Sequence, residues 1–222
     1  MLTLHRSSPQ SAAGSLRRCL APLLLLLSLH ASAIDASRVP ASKQTRAGLY
    51  LDAREAHAMK QQLGRHVLFV DIRTRSEIIY LGMPASVDAH IPLADHPQGM
   101  PWDDKQGRFR TDPNPDFDAA IARRLAQQGL SKQDPVILIC RSGDRSARAV
   151  NLLAGLGYEK VYTVIDGFEG DVATEGPQAG QRVVNGWKNA GLPWTTQLDK
   201  EKMYLPAETK SGSKSESKSD KN

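Results

Sequence analysis

Two unbroken apolar runs constrain the fold of this chain: Val67-Leu68-Phe69-Val70 followed by Ile72, and Val136-Ile137-Leu138-Ile139. Neither alternates apolar with polar residues, so neither fits a strand with one wet face. Each has the length of a strand covered on both sides, as parallel sheets are. Parallel strands need long crossovers, and helical patterns lie between these runs. Asp52 and Glu55 form a capping box for a helix over about 53–63, with Ala56, Met59 and Leu63 on one face and Gly64 at its end. Thr74 and Glu77 form a second box, starting a short helix through about Tyr80. Asn114 as N-cap and Pro115 at the first position predict a third helix, along which Phe117, Ala120, Ile121 and Leu125 recur at helical spacing before Gly129. A fourth helix is predicted over about 145–155, and weaker strands at 49–51, 87–91 and 161–165. The alternation predicts an α/β fold with a mainly parallel central sheet and helices on both faces. The stretch 92–113, rich in Pro, Gly and Asp, reads as a surface loop pinned down by Trp102 and Phe109.

Composition decides what surrounds that domain. With 40% apolar and 24% charged residues, the 222-residue chain has the balance of a soluble globular protein. The formal charge of +5 belongs to the ends. Arg6, Arg17 and Arg18 stand unopposed by acids in 1–33, and the Lys-Ser stretch 209–222 has two more basic than acidic residues. The region between is close to neutral, which argues against a nucleic-acid partner. Arg17-Arg18, the leucine-rich run from Leu20 to Leu29 and Ala31-Ser32-Ala33 have the order of a cleaved signal peptide, with cleavage expected after Ala33, a periplasmic or secreted product and no stable membrane anchor afterwards. The expected organisation is therefore a signal peptide at 1–33, an N-terminal arm at 34–46, a domain at 47–195 and a polar tail at 196–222, disordered from about 209. Cleavage would remove Cys19 and leave Cys140 as the single thiol, excluding an internal disulfide.

Cys140 opens the segment Cys140-Arg141-Ser142-Gly143-Asp144-Arg145-Ser146, between a buried strand and a helix. In a parallel sheet the carboxyl ends of the strands open onto the ligand crevice, which places this cysteine at the mouth rather than in the core. Successive backbone N–H groups and the N-terminus of the following helix make a concavity for negative charge, a setting that favours a thiolate. Arg141 and Arg145 add forked donors for a small oxyanion. This reading requires the sulfur to lie uncovered in a cradle of main-chain amides, with both arginines facing one pocket.

The segment resembles the active-site loop of the rhodanese-like sulfurtransferases. So do Val70-Asp71-Ile72-Arg73-Thr74 with Glu77, Gly82-Met83-Pro84-Ala85 before Ile91-Pro92, and Asp166-Gly167-Phe168; the likeness covers about 47–195. Gly186-Trp187-Lys188 and Gly191-Leu192-Pro193-Trp194 are similar to the ending of exported bacterial single-domain members. The resemblance implies transfer of a sulfane sulfur from thiosulfate or a similar donor to cyanide or a thiol through a persulfide on Cys140, without metal or organic cofactor. Residues 141–146 would bind the anion. It leaves a second reading, a non-catalytic or sulfur-carrying module that binds a protein donor or acceptor. The chain departs from the common pattern at His90, where many members have Asn, and in the length of 93–113. Phosphatases on a similar scaffold use Cys-x5-Arg, one residue longer than the Cys-x4-Arg here, and redox chemistry lacks a resolving cysteine. Asp71 with Arg73 reads as a structural ion pair near the site. Asp144 reads as a tuner of the loop or a helix cap. His90 and His96 read as structural or surface residues, since no metal-ligand spacing is present. The three tryptophans read as packing residues.

Overall fold

The computed structural model describes residues 34–205; the expected signal peptide and the tail beyond 205 lie outside the described residues. In chain order the elements are β1 (Tyr50–Leu51), α1 (Ala53–Leu63), β2 (Leu68–Asp71), α2 (Arg75–Leu81), β3 (Met83–Pro84), β4 (Ala89–His90), β5 (Ala94–Asp95), β6 (Trp102–Asp103), β7 (Arg108–Phe109), β8 (Asp112–Pro113), α3 (Phe117–Gln127), β9 (Val136–Ile139), α4 (Asp144–Gly155), β10 (Val161–Val164) and β11 (Trp194–Thr195). The central sheet runs β1-β10-β9-β2-β4 with every neighbouring pair parallel. The two apolar runs occupy its middle, where both faces are covered and each aliphatic side chain contributes about 1.5–3 kcal/mol by burial. Their side chains divide by the two-residue period of a strand. Val136, Leu138 and Cys140 join Leu68, Val70 and the apolar faces of α3 and α4 in one core. Ile137 and Ile139 join Phe69, Ala56 of α1, Ile78 of α2, Phe168 and Trp187 in the other. Both capping boxes form, with Asp52 Oδ1 accepting Glu55 N–H at 2.7 Å and Glu77 Oε2 accepting Thr74 N–H at 2.9 Å.

Four stretches differ from the sequence-based expectation. The 92–113 stretch is a nested hairpin, in which β5 pairs with β8 and β6 with β7. Two-residue ladders carry no readable period, so composition alone suggested a loop. Trp102 and Phe109 pack edge to face at 5.3 Å between ring centroids, but remain 55% and 48% exposed. They brace the hairpin internally rather than pinning it to the body. Helix α3 starts at Phe117 because Asn114 is otherwise engaged: its Oδ1 accepts Asp116 N–H at 3.1 Å and its amide donates to Pro92 O at 3.0 Å. The arm is docked, with Lys43 buried and its Nζ 2.7 Å from Asp171. Residues 196–205 run back to the sheet edge, where Met203 bridges to His90 and Tyr204 N–H donates to His90 O at 2.9 Å.

Candidate active site

From β2 the chain turns into α2 on one face of the sheet, and from β9 into α4 on the other. The adjacent carboxyl ends of β2 and β9 therefore diverge, which opens a crevice at this switch point. Residues 141–143 turn the chain from β9 into α4. Gly143 makes the turn with φ of 100°, and a Cβ there would lie 2.2 Å from Ile165 O. The turn is clamped by the Asp166-Gly167-Phe168 segment after β10. Phe168 N–H donates to Cys140 O at 2.8 Å and Glu169 N–H to Arg141 O at 3.0 Å. Gly167 is needed for this approach, since a Cβ on it would lie 2.5 Å from the backbone of Arg141 and Ser142. With the carbonyls held outward, the amides turn inward. Gly143 N–H and Ser146 N–H lie 3.2 and 3.4 Å from Cys140 Sγ.

The amide cradle is therefore present, but the sulfur is not uncovered. Cys140 is 1% exposed and packs with the α4-side core. The loop folds over the strand end and closes around the thiol, so Cys140 lies beneath the crevice floor rather than at its mouth. Its company is polar nonetheless. Ser146 Oγ stands 3.5 Å from Sγ, donates to Gly143 O at 2.9 Å and accepts from Thr163 Oγ1 at 2.8 Å. Thr163, a buried polar residue within the strand β10, escaped the sequence reading, although a hydroxyl inside an apolar strand is itself a signal.

The two arginines differ in their surroundings. Arg141 is exposed and lines the crevice, as do Ser142, Asp144 and Arg145. Arg145 is only partly exposed. It belongs to the first turn of α4, and its guanidinium holds the Glu77 carboxylate at 2.7 and 2.5 Å. Burial would raise the Glu77 carboxyl, but Arg145 outweighs it and brings the value down to about 2; Arg145 is in turn raised, against burial, by Glu77. Glu77 thus serves both α2, as its capping residue, and α4. The sequence showed only the first role. Asp144 accepts from Ser142 Oγ at 3.2 Å; burial would raise its carboxyl, whereas hydrogen bonds from Ser42 and Ser142 lower it. The docked arm thus reaches the loop through Ser42 and Lys43, which no motif announced.

Asp71 and Arg73 form a fully buried ion pair at 2.6 Å, with the guanidinium also donating to Gly82 O at 2.7 Å and lying 4.0 Å over the Phe168 ring. The pair supports the clamp behind the loop from a distance and does not line the crevice. His90 Nε2 lies 2.7 Å from Arg73 O, and burial lowers its pKa, consistent with a structural role. Trp187 is buried and donates from Nε1 to Pro193 O at 2.9 Å, whereas Trp194 stacks against Lys188 at 4.0 Å. Among the described residues no group of three His, Cys, Asp or Glu side chains converges on a metal-sized site.

Above the loop the crevice widens to a cleft of about 770 Å³. One wall is α4 with Arg148 and Leu152, another is the start of α2, and a third is the hairpin, through His96, Arg108 and Phe109. These hairpin residues were also missed, because only tertiary packing carries residues 94–113 over the crevice.

The family described as "Rhodanese-like domain" matches residues 52–174, more than half of the chain. The chain is 28% identical over 129 residues to the uncharacterized RP600 homolog of Rickettsia rickettsii, covering 58% of this chain and 83% of that one. Over 43 residues it is 44% identical to the thiosulfate sulfurtransferase GlpE of Tolumonas auensis, covering 19% of this chain and 41% of that one. Among solved structures, Rv0390 from M. tuberculosis superposes with a TM-score of 0.50 at 27% identity, over 67% of this chain and 97% of that one.

Proposed function

Since this chain belongs to the rhodanese-like domain family, we propose that it is a sulfurtransferase that carries a sulfane sulfur on Cys140. The observation that carries this reading is the polar enclosure of the thiol, with Gly143 N–H at 3.2 Å and Ser146 N–H at 3.4 Å from Sγ. In the first half-reaction the Cys140 thiolate attacks the outer sulfur of thiosulfate. A new S–S bond forms, the old one breaks, and its electron pair leaves with sulfite. Dividing the transfer around a covalent intermediate replaces one difficult step by two easier ones. The outer sulfur of the persulfide sits about 2.05 Å beyond Sγ. The N–H groups of Arg141, Ser142 and Arg145 have no acceptor among the described residues, which suits them to receive that sulfur and the departing oxyanion. Arg141 is the guanidinium free for the sulfite group, and Arg145 acts from its pairing with Glu77. The reading includes export directed by residues 1–33.

Burial of the sulfur favours one alternative, a carrier that takes its sulfur only from a docked protein which opens the loop. Intact-mass measurement separates the two. Incubation with thiosulfate should add one sulfur, about 32 Da, to the protein and nothing to Cys140→Ser. Mass gained only when a protein donor is supplied supports the carrier, and mass gained by the serine variant refutes both.

A further inference from the structure

The cleft is larger than thiosulfate requires. About 770 Å³ lies within the roughly 300–1,000 Å³ typical of sites for drug-sized ligands, whereas thiosulfate has five heavy atoms. It also has direction. From Asp144 to Leu152 the lining follows α4 for eight residue steps, about 12 Å at 1.5 Å per step. Along that length the chemistry changes from the amide loop, through Arg148 with Arg108 of β7, to Leu152 and Phe109. The charge is unbalanced as well. Arg145 is neutralised by Glu77, but among the described residues Arg141 and Arg148 have no acidic partner and Arg108 bonds only the neutral Gln106. Three guanidiniums thus face the single carboxylate of Asp144. Elsewhere Arg75, Arg110 and Arg123 are each matched to an aspartate.

His96 completes this wall. Its Nδ1 lies 2.9 Å from Arg110 O, and a carbonyl can only accept, so Nδ1 carries the hydrogen. In the neutral ring Nε2 is then a bare acceptor, and it has no protein partner among the described residues. We infer that the hairpin wall is the acceptor half-site of the sulfurtransferase proposed above, that it takes an organic thiol bearing an anionic group, and that His96 removes the thiol proton. The inference rests on that sulfurtransferase reading. A thiol with a pKa near 8.5 is mostly protonated at neutral pH and attacks a persulfide poorly, so a positioned imidazole is the group this step needs. The proton passes to His96 Nε2. The thiolate attacks the outer sulfur of the persulfide and forms the new S–S bond, and the electron pair of the broken bond returns to Cys140 Sγ. The product leaves as a hydropersulfide anion, its anionic group held by Arg148 and Arg108.

Protein loaded with thiosulfate and desalted is mixed in single turnover with 3-mercaptopropionate, with neutral 2-mercaptoethanol, or with 5-thio-2-nitrobenzoate, whose thiol is already ionised at neutral pH; loss of about 32 Da is followed. Mercaptopropionate should react at least about tenfold faster than mercaptoethanol at equal low concentration. Arg148→Gln should weaken apparent affinity for the two carboxylates and leave mercaptoethanol unchanged. His96→Gln should slow both aliphatic thiols by about a hundredfold and leave thionitrobenzoate unchanged, with free imidazole restoring the rate. Equal wild-type rates for charged and neutral thiols, or equal slowing of all three by His96→Gln, overturn the half-site alone. Failure to load from thiosulfate overturns the sulfurtransferase reading and the half-site with it.

Discussion

Glu77→Gln tests how the crevice is held together. The substitution removes one charge but keeps the length of the side chain, and glutamine is itself a capping-box residue, so α2 retains its first turn. What is lost is the grip on Arg145. Glu77 titrates at about 2 rather than its ordinary 4.5, the cost of burial being outweighed chiefly by the Arg145 guanidinium, with smaller help from the Thr74 N–H and Arg73. At about 1.4 kcal/mol per pH unit this displacement corresponds to about 3 kcal/mol. Both side chains are less than one quarter exposed, so solvent screens the pair only modestly. The native value is depressed, so this stabilisation is complete above about pH 4.5 and is lost as the pH falls through 2. Denaturant unfolding at stepped pH should therefore show Glu77→Gln less stable by about 3 kcal/mol at neutral pH, the two curves converging between pH 4.5 and 2. Other carboxylates titrate in the same window, so the difference between the curves is the quantity to follow. Parallel curves, or a neutral-pH difference under about 1 kcal/mol, would refute the assigned role of the pair.

Asp166 works in the opposite direction. Burial raises its carboxyl from 3.8 to about 6 despite backbone hydrogen bonds, so stability should fall as pH rises from 3.8 to 6, by up to about 3 kcal/mol. Asp166→Asn should flatten that decline in a pH series of melting temperatures. Asp71→Asn leaves Arg73 fully buried without its counter-charge and should cost about 3–5 kcal/mol in chemical denaturation, with a smaller loss in the double variant Asp71→Asn/Arg73→Met. Gly143→Ala meets Ile165 O at 2.2 Å in a left-handed conformation costing about 1–3 kcal/mol by itself. Circular dichroism should show the sheet retained while persulfide formation, read by mass, falls at least about tenfold.

The elements that could be read from the sequence are those whose signals are local. Two apolar runs, two capping boxes and the spacing of Phe117, Ala120, Ile121 and Leu125 each depend on residues within a few positions of one another, and each element formed within two or three residues of its predicted bounds. The site was legible only in part. Cys140 and its amides follow from the strand-loop-helix order, but the loop's clamp comes from Phe168 and Glu169, its salt link from Glu77, and its outer wall from residues 94–113. The arm illustrates the limit: nothing local distinguishes Lys43 from a solvated lysine, and only Asp171, far along the chain, gives it a buried partner.

The misjudged exposure of Cys140 has the same origin and bears on how its chemistry should be understood. The side chain of Cys140 follows the alternation of Val136 and Leu138, which directs it towards α4 regardless of how the loop runs. Burial therefore comes from strand geometry and does not by itself make the residue part of the packing. What separates a reactive thiol from an inert one is its neighbours, since a buried sulfur among hydrocarbon has no donors to stabilise its anion. Here Gly143 N–H, Ser146 N–H and the Ser146 hydroxyl all lie within 3.5 Å of Sγ. Two N–H donors and a hydroxyl oxygen around one sulfur are hard to account for by packing, which a methyl group would serve as well. On this account Cys140→Ala should fold with little loss of stability, while Cys140→Leu, which forces carbon against the loop amides, should be markedly less stable. Thermal melts of the two variants decide the point: a large loss in the alanine variant would show that the sulfur is there to fill space.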